Sequence, residues 1–464
     1  MAEVPPEQRE LASVCVVGGG ITGATAAAVL REAGLRVVVF DQGRRGPGGR
    51  ASHRRVSQSE GRVLPDDDAP LGDALEFDHG CQFFRADDAK MKALVESWCS
   101  AGWAAAWPGR FGRLSGSAPF APVSDADADG GAEDFFGLPG STAPVFVGVG
   151  GMQRLPRAVL EGSGATVRRG VRVKTLRPLE GGRWELLATS GEGAYHDTSE
   201  AAAAAAAEAS LGAFDAVLLT DVSSSFEGWH RASAGLPADF AARVAGRVRL
   251  PLFSCMVAYA APLGLPLDGL TLHRGDVLWF AARSASKPGL EPGPGAAAPE
   301  PPECWTLIST PGYACHEITS TPMQDTSGAF LPQSDDYLNT GPAPALVAAF
   351  AAAVAPMLAA AGRTMPAVIY SQAQRWGSAM PAPRGWEGTP VQVMGVTYQS
   401  EVPPLLPAAA EDAASAERAD FVADDGQRLY FAGDFCSSRA PGFEAAALSG
   451  FDAAEHIVRQ LTAH

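Results

Sequence analysis

The readable part of the chain opens with a short, unbroken apolar run. Ser13 to Val17 is rich in β-branched residues, ends at glycines, and reads as a strand buried on both faces. From Ile21 to Ala33, alanine, valine and leucine recur at helical spacing up to Gly34, a good helix stop. Leu35 to Phe40 is a second apolar strand, which completes a βαβ unit. Arg44 to Pro70 is rich in Gly, Arg and Asp and reads as a long irregular excursion, from which Glu76 to Gly80 leads back into order.

Lys90 to Ala101 has a helical pattern, Ser124 to Gly131 reads as an acidic loop, and apolar character resumes at Val145 to Val149. Met152 to Leu160 reads as a helix. Thr166 to Leu176, Trp184 to Ala188 and Phe214 to Thr220 read as strands. The alanine tract within Glu200 to Ser210 has no amphipathic face and reads as a low-complexity insertion in a hairpin. Beyond Ser223, strand-like runs (Leu252 to Ala258, Val277 to Ala281, Trp305 to Thr310) alternate with Pro/Gly loops. Two inserts, Ser286 to Glu303 and Ser320 to Pro344, are expected to be disordered or weakly held. Ala345 to Ala361 is a long Ala-rich helix, Leu429 to Ala432 a strand, and Phe443 to Leu461 a closing helix.

Composition narrows the function classes. With 464 residues the chain is long enough for two or three domains, and its net charge of −16 disfavours nucleic acid and anionic membrane surfaces as partners. Seven scattered cysteines without a CxxC pair indicate neither a disulfide framework nor a metal site. The acidic start lacks the features of a leader peptide, and no run was expected to reach membrane-spanning length and apolarity. The expectation is a cytoplasmic protein, with its oligomeric state left open.

Chemistry enters at Gly18-Gly19-Gly20-Ile21-Thr22-Gly23, a GxGxxG between a predicted strand and a predicted helix. Gly18 permits a tight turn, Gly20 lets the backbone approach a pyrophosphate, and Gly23 lets helix and strand pack closely. Asp41, followed by Gln42, closes the second strand where a carboxylate accepts from adenosine ribose hydroxyls and repels a 2′-phosphate. Gly48-Gly49-Arg50 adds bare backbone and a forked cation suited to a diphosphate. Near the end of the chain, Gly433-Asp434 closes a strand, and Phe443-Glu444-Ala445 opens a helix whose positive end suits a reduced flavin. A nicotinamide dehydrogenase does not need this second element, so the pattern favours FAD over NAD.

These stretches resemble the flavin amine oxidase superfamily, and most of all its renalase-like branch. The resemblance is carried by VCVVGGGITGATAAAVLREAG, GGRAS, FDHGCQFF, VFVGVGGMQRLPRAVL, SQAQRWGSAMP and LYFAGDFCSSRAPGFEAAALSG. It implies that Gly18, Gly20, Gly23, Asp41, Gly49 and Arg50 hold the ADP half, and that Val171 meets adenine through its backbone. It further implies that Gly80, Cys81 and Gln82 pass beside the isoalloxazine, that Asp434 binds the ribityl chain, and that Phe443, Glu444 and Ala445 contact the ring. Cys436 does not match the family's covalent attachment motif, so FAD is expected to be non-covalent. Superfamily amine oxidases often place a lysine near the flavin. Lys287 stands in a Pro/Gly loop and is expected to be solvated, which counts against amine oxidation.

The implied fold is α/β: a discontinuous Rossmann-type FAD-binding domain (12–82, 142–222, 425–464) and a mixed-sheet α+β substrate domain (83–141, 223–424). Arg375 and Trp376 are candidates to meet an anionic, planar substrate, and His79 is a weaker candidate for a direct role. Three readings stay open. One is a renalase-like oxidase passing hydride from a small substrate, such as a reduced nicotinamide isomer, to FAD and on to molecular oxygen. The second is an amine oxidase or desaturase on the same fold. The third is a redox-silent flavoprotein serving as a binding module.

Overall fold

The apolar strand Ser13–Val17 lies inside a six-stranded sheet, between Ala216–Leu219 and Arg36–Asp41. Thr166–Arg169 extends the sheet on one side, and Leu429–Ala432 followed by Phe421–Asp424 on the other. All its pairings are parallel except the last. The computed structural model describes residues 11–43, 45–65, 74–115, 121–122, 144–189, 208–225, 235–273, 275–291, 301–323, 333–383, 388–393, 396–401 and 420–462. The expected strands and helices of the βαβ unit are present, with helix Ile21–Glu32 between its strands.

Helices Ile21–Glu32 and Phe443–Thr462 cover one face of this sheet and touch each other. Their closeness has a local cause: a methyl at Gly450 would lie 2.1 Å from the Thr22 carbonyl, and Thr25 donates to the Ala447 carbonyl. The opposite face buries Cys15, Phe40, Val217 and Phe431 against a three-stranded antiparallel sheet and helix Ala238–Ala245. Two of those three strands, Trp184–Thr189 and Glu208–Phe214, pair antiparallel, as expected of a hairpin; the alanines at 201–207 lie outside the described residues, as does 124–131.

A second, mixed sheet centres on Arg249–Tyr259, an eleven-residue strand buried throughout. It pairs with Glu303–Ser309 and with Val368–Pro381. Helices Pro311–Ser320, Asp335–Thr340 and Pro342–Ala360 shield one face through Phe253, Trp305, Leu346 and Phe350. The other face receives a hairpin from the first half of the chain: Val56 and Phe77 pack on Met256 and Ala258.

Five expectations are corrected. The excursion from 44 to 70 contains the strand His53–Ser57, paired with Ala74–Asp78; its charged residues hid a strand that is buried from end to end. The run from 166 to 176 breaks at Gly170 (φ +66°), which sends Val173–Pro178 into a different sheet. Ser286 to Leu290 is ordered rather than weakly held, and Lys287 and Leu290 are buried there; 292–300 lie outside the described residues. Within 320–344, Ser334 caps helix Asp335–Thr340; 324–332 lie outside the described residues. Finally, the stretch Asp335–Ala360 is long and apolar enough, by length and composition, to cross a membrane. It lays Leu346, Phe350, Val354 and Leu358 on the mixed sheet along one face, and 28% of its apolar window is buried.

Candidate functional site

The glycine turn is built as its spacing requires. Gly18 has φ +108°, and a methyl there would strike the Thr220 hydroxyl at 2.2 Å. A methyl at Gly23 would lie 2.0 Å from the Gly18 carbonyl, so only glycine lets helix Ile21–Glu32 sit this close to the strand. Gly20 is the N-cap and offers no side-chain cap, and the first turn, with Ile21 and Thr22, holds no acid. Gly49 (φ +54°) faces Gly20 so closely that a methyl on it would come within 3.2 Å of the Gly20 Cα. Uncapped amides, a positive helix end and two bare backbones facing each other suit a pyrophosphate.

Asp41 is buried and accepts from the amides of Gly19 and Gly43, each at 2.8 Å. Its carbonyl accepts from Val171 N, which brings Gln42, Gly170 and Val171 to the same sheet end.

Across the cleft, Arg50 reaches the C-terminal strand end. Its two terminal nitrogens donate to the Asp434 carboxylate at 2.8 and 2.6 Å, and Nη1 also donates to the Ala379 carbonyl. Asp434 is 1% exposed and follows Gly433 (φ +147°). Cys436 turns into the apolar cluster of Leu219, Phe431 and Phe435. At the start of helix Phe443–Thr462, Phe443 stacks on Phe84 at 4.3 Å and Ala445 is buried. The Glu444 carboxylate accepts from the amides of Asp87 and Asp88, and burial raises its pKa. Glu444 thus serves the start of the neighbouring helix Ala89–Ser100.

The segment after strand Ala74–Asp78 carries a polar cluster that the sequence reading missed. Asp78 accepts from Lys287 Nζ at 2.9 Å and from Met152 N at 2.7 Å, and meets His53 Nδ1 at 2.9 Å. Burial works to raise its pKa, but the charge of Lys287 and the His53 contact outweigh it and hold the carboxyl well below the usual range. Lys287 also meets Gln82 Oε1 at 3.3 Å and lies over the Trp107 ring. Gln82 in turn donates to the Asp78 and Gly80 carbonyls. Lys287 is 2% exposed, so the expectation of a solvated lysine is overturned. Its loop is pinned by Pro288 O to Gly150 N and by Ser286 to the Trp107 indole.

Cys81 donates to the Phe83 carbonyl, and burial pushes its thiol up to about 12. Gly80 is fixed against Arg50, where a methyl would fall 2.0 Å from the carbonyl. The expected flavin-side residues Gly80, Cys81 and Gln82 therefore adjoin Arg50, and through it Asp434.

Arg375 and Trp376 part company. Both lie within strand Val368–Pro381, where neighbours point to opposite faces. The Trp376 indole stacks on His79 at 5.6 Å and donates to Ser254 and the His79 carbonyl. Arg375 donates to the Thr321 carbonyl and to Gln333 on the helix-covered side. The structure corrects their pairing as one substrate clamp. His79 is 3% exposed; burial first, then the charges of Arg54 and Arg45, push its pKa well down, so the ring is neutral. Asp78 and Lys287 carried a faint signal, as charged residues beside strand and glycine motifs. Their meeting had none.

Residues 16–98 match the family of NAD(P)-binding Rossmann-like domains. Among solved structures, a triple mutant of putrescine oxidase is similar with a TM-score of 0.51 at 14% identity, over 97% of this chain and 99% of that one. An oxidoreductase from Methanosarcina mazei has a TM-score of 0.48 at 12% identity, over 84% and 95%. Aklavinone-11 hydroxylase, in a ternary complex with FAD and aklavinone, has 0.45 at 13%, over 97% and 62%. The putrescine oxidase likeness is one of fold, and the fold is α/β with a Rossmann-like domain.

Proposed function

We propose that this chain is an FAD-dependent oxidoreductase that holds FAD non-covalently and oxidises a small, planar, reduced substrate in the manner of the renalase-like enzymes. A reduced nicotinamide isomer is the substrate class that fits best, with molecular oxygen as the final acceptor. The Arg50–Asp434 pair carries the reading. It ties the loop after the βαβ unit to the C-terminal strand end, so segments far apart in the chain meet at one place. A dinucleotide with a second, ribityl-linked half uses both.

Gly18, Gly20, Gly23, Asp41, Gly49 and Arg50 would hold the ADP half, and Gly80, Cys81, Gln82 and Asp434 the flavin half. The residue types fit: uncapped amides and an arginine for phosphates, a carboxylate at each ribose-like chain. FAD, when bound, supplies the hydride acceptor. The protein's part is orientation and exclusion of water. Trp107 and Phe83 are buried against Phe280 and Phe111 and close one side, while neutral His79 and the Trp376 indole form an aromatic wall. Lys287 holds Asp78 and the Gln82 side chain in place. The buried thiol of Cys436 supports non-covalent binding.

One observation favours a second reading, amine oxidation. Lys287 is buried against the loop assigned to the flavin side, the placement whose absence argued against that chemistry. Anaerobic titration separates the two, followed at the flavin band near about 450 nm. Bleaching by reduced nicotinamide isomers and not by amines supports the renalase-like reading. Bleaching by amines alone establishes the second. Protein that is colourless and takes up no added FAD refutes both.

A further inference from the structure

Arg54 and Arg55 are neighbours on the strand His53–Ser57 with opposite surroundings. Arg55 pairs with Glu76 at 2.8 Å. Arg54 is 7% exposed and its hydrogen bonds run to neutral oxygens: Nη1 donates to Gln372 Oε1 at 2.6 Å and Nη2 to Gln374 Oε1 at 3.4 Å. Its Nε has no partner. Tyr370 donates to the same Gln372 oxygen, so that acceptor is shared. Among the described residues no carboxylate pairs with Arg54. Arginine stays charged at any ordinary pH, and a buried charge hydrogen-bonded only to neutral groups is costly. Burial, and then the nearby charge of Arg45, work against the cation, and Tyr370 and the charge of Asp335, beyond ion-pair distance, offset them only in part.

Beside it lies a second unused group. Both ring nitrogens of His79 are buried without a partner, while the ring stacks on Trp376. The strand that carries Tyr370, Gln372, Gln374 and Trp376 is only half-buried at these positions and pairs along one side alone, with Arg249–Tyr259. The Arg54 Nε and both His79 nitrogens are thus closed off beneath a strand that is itself only half-buried and held along one edge.

The geometry points to Arg54 and His79 as the binding site for an anionic oxygen group, a carboxylate or a phosphate, on a planar substrate. Arg54 receives the anion through Nε and the weakly held Nη2, the His79 ring donates a further hydrogen bond, and the Trp376 indole is the apolar wall. The assignment to a substrate rests on the flavoenzyme reading above; the anion site itself does not. It also transfers to Arg54 the role that sequence pattern suggested for Arg375.

The test uses FAD-loaded protein and three probes of one shape: benzoate, phenyl phosphate and uncharged benzamide. Binding is followed by tryptophan fluorescence and by perturbation of the flavin band. At least one anion is expected to bind about tenfold or more tightly than benzamide, in line with a hydrogen-bonded charge pair. The better anion tells carboxylate from phosphate. Gln374→Glu places a carboxylate beside Arg54 without removing the buried cation, and should cut that preference to under about twofold. Arg54→Gln should do the same where it folds. Equal binding of all three probes, no binding of any, or a preference that survives Gln374→Glu would overturn the assignment. FAD content measured in the same samples keeps the two readings apart. Protein that takes up no FAD yet prefers anions refutes the flavoenzyme, and FAD-loaded protein without the preference refutes the anion site.

Discussion

Asp434 and Asp78 each bury a carboxylate, and each meets a cation from a distant stretch of chain. For Asp434 the cation is Arg50, whose side chain is 37% exposed. For Asp78 it is Lys287, 2% exposed and enclosed by Gln82 and the Trp107 ring. The first pair remains in contact with solvent through Arg50. The second is sealed, and its charge serves to join the Lys287 loop to the strand that precedes Gly80, Cys81 and Gln82. One kind of ion pair thus does two jobs, separated by access to water.

The largest expected effect breaks the sealed pair. Lys287→Met leaves Asp78 buried without its cation and should cost about 3–5 kcal/mol in denaturant unfolding. Adding Asp78→Asn should recover a sizeable part; a double variant no more stable than the single would show that the pair is not the cause. The pH profile sharpens the same point. Asp78 has a lowered pKa in the folded state, so its contribution is complete above the unfolded carboxylate value near about 4. It is lost as pH falls from there through the folded value. The wild type should therefore weaken steadily below that point, and Lys287→Met should flatten the slope.

Arg50→Gln comes next. Because Arg50 is partly solvated, about 1–2 kcal/mol of stability should be lost, together with FAD retention on a desalting column. Full retention of FAD would separate Arg50 from the cofactor. Gly20→Ala probes the groove without touching either pair. A methyl there meets Gly49 Cα at 3.8 Å and the Gly48 carbonyl at 4.0 Å, both ordinary contacts, so unfolding should shift by less than about 0.5 kcal/mol. FAD affinity should fall about tenfold, because the methyl faces the phosphates; unchanged affinity would place the pyrophosphate elsewhere.

Glu444 gives the smallest effect and the opposite sign. Its pKa is raised in the folded state, so the fold loses stability as pH rises from the unfolded value through the folded one. Glu444→Gln keeps an acceptor for the amides of Asp87 and Asp88. At neutral pH it should stabilise by less than about 1 kcal/mol in thermal unfolding.

The glycine turn, Asp41 and the closing helix were legible because their signals are local. Gly18, Gly20 and Gly23 are set by backbone sterics within a few residues, and a run of β-branched residues announces its own strand. The strand His53–Ser57 was not legible, since burial of two consecutive arginines needs partners brought from elsewhere, such as Glu76 and Gln372. Arg375 and Trp376 were read as one clamp until the strand that contains both set them on opposite faces.

By itself, then, the chain's local chemistry determined a Rossmann-type turn, its helix and its carboxylate, because each depends on neighbours along the backbone. Only the tertiary structure decided which charges are partnered. It joined Lys287 to Asp78 across 209 positions and Arg50 to Asp434 across 384, and left Arg54 among neutral oxygens. The physical reason is that the cost of a charge is set by burial and by the groups within a few ångströms, and neither is a property of sequence separation.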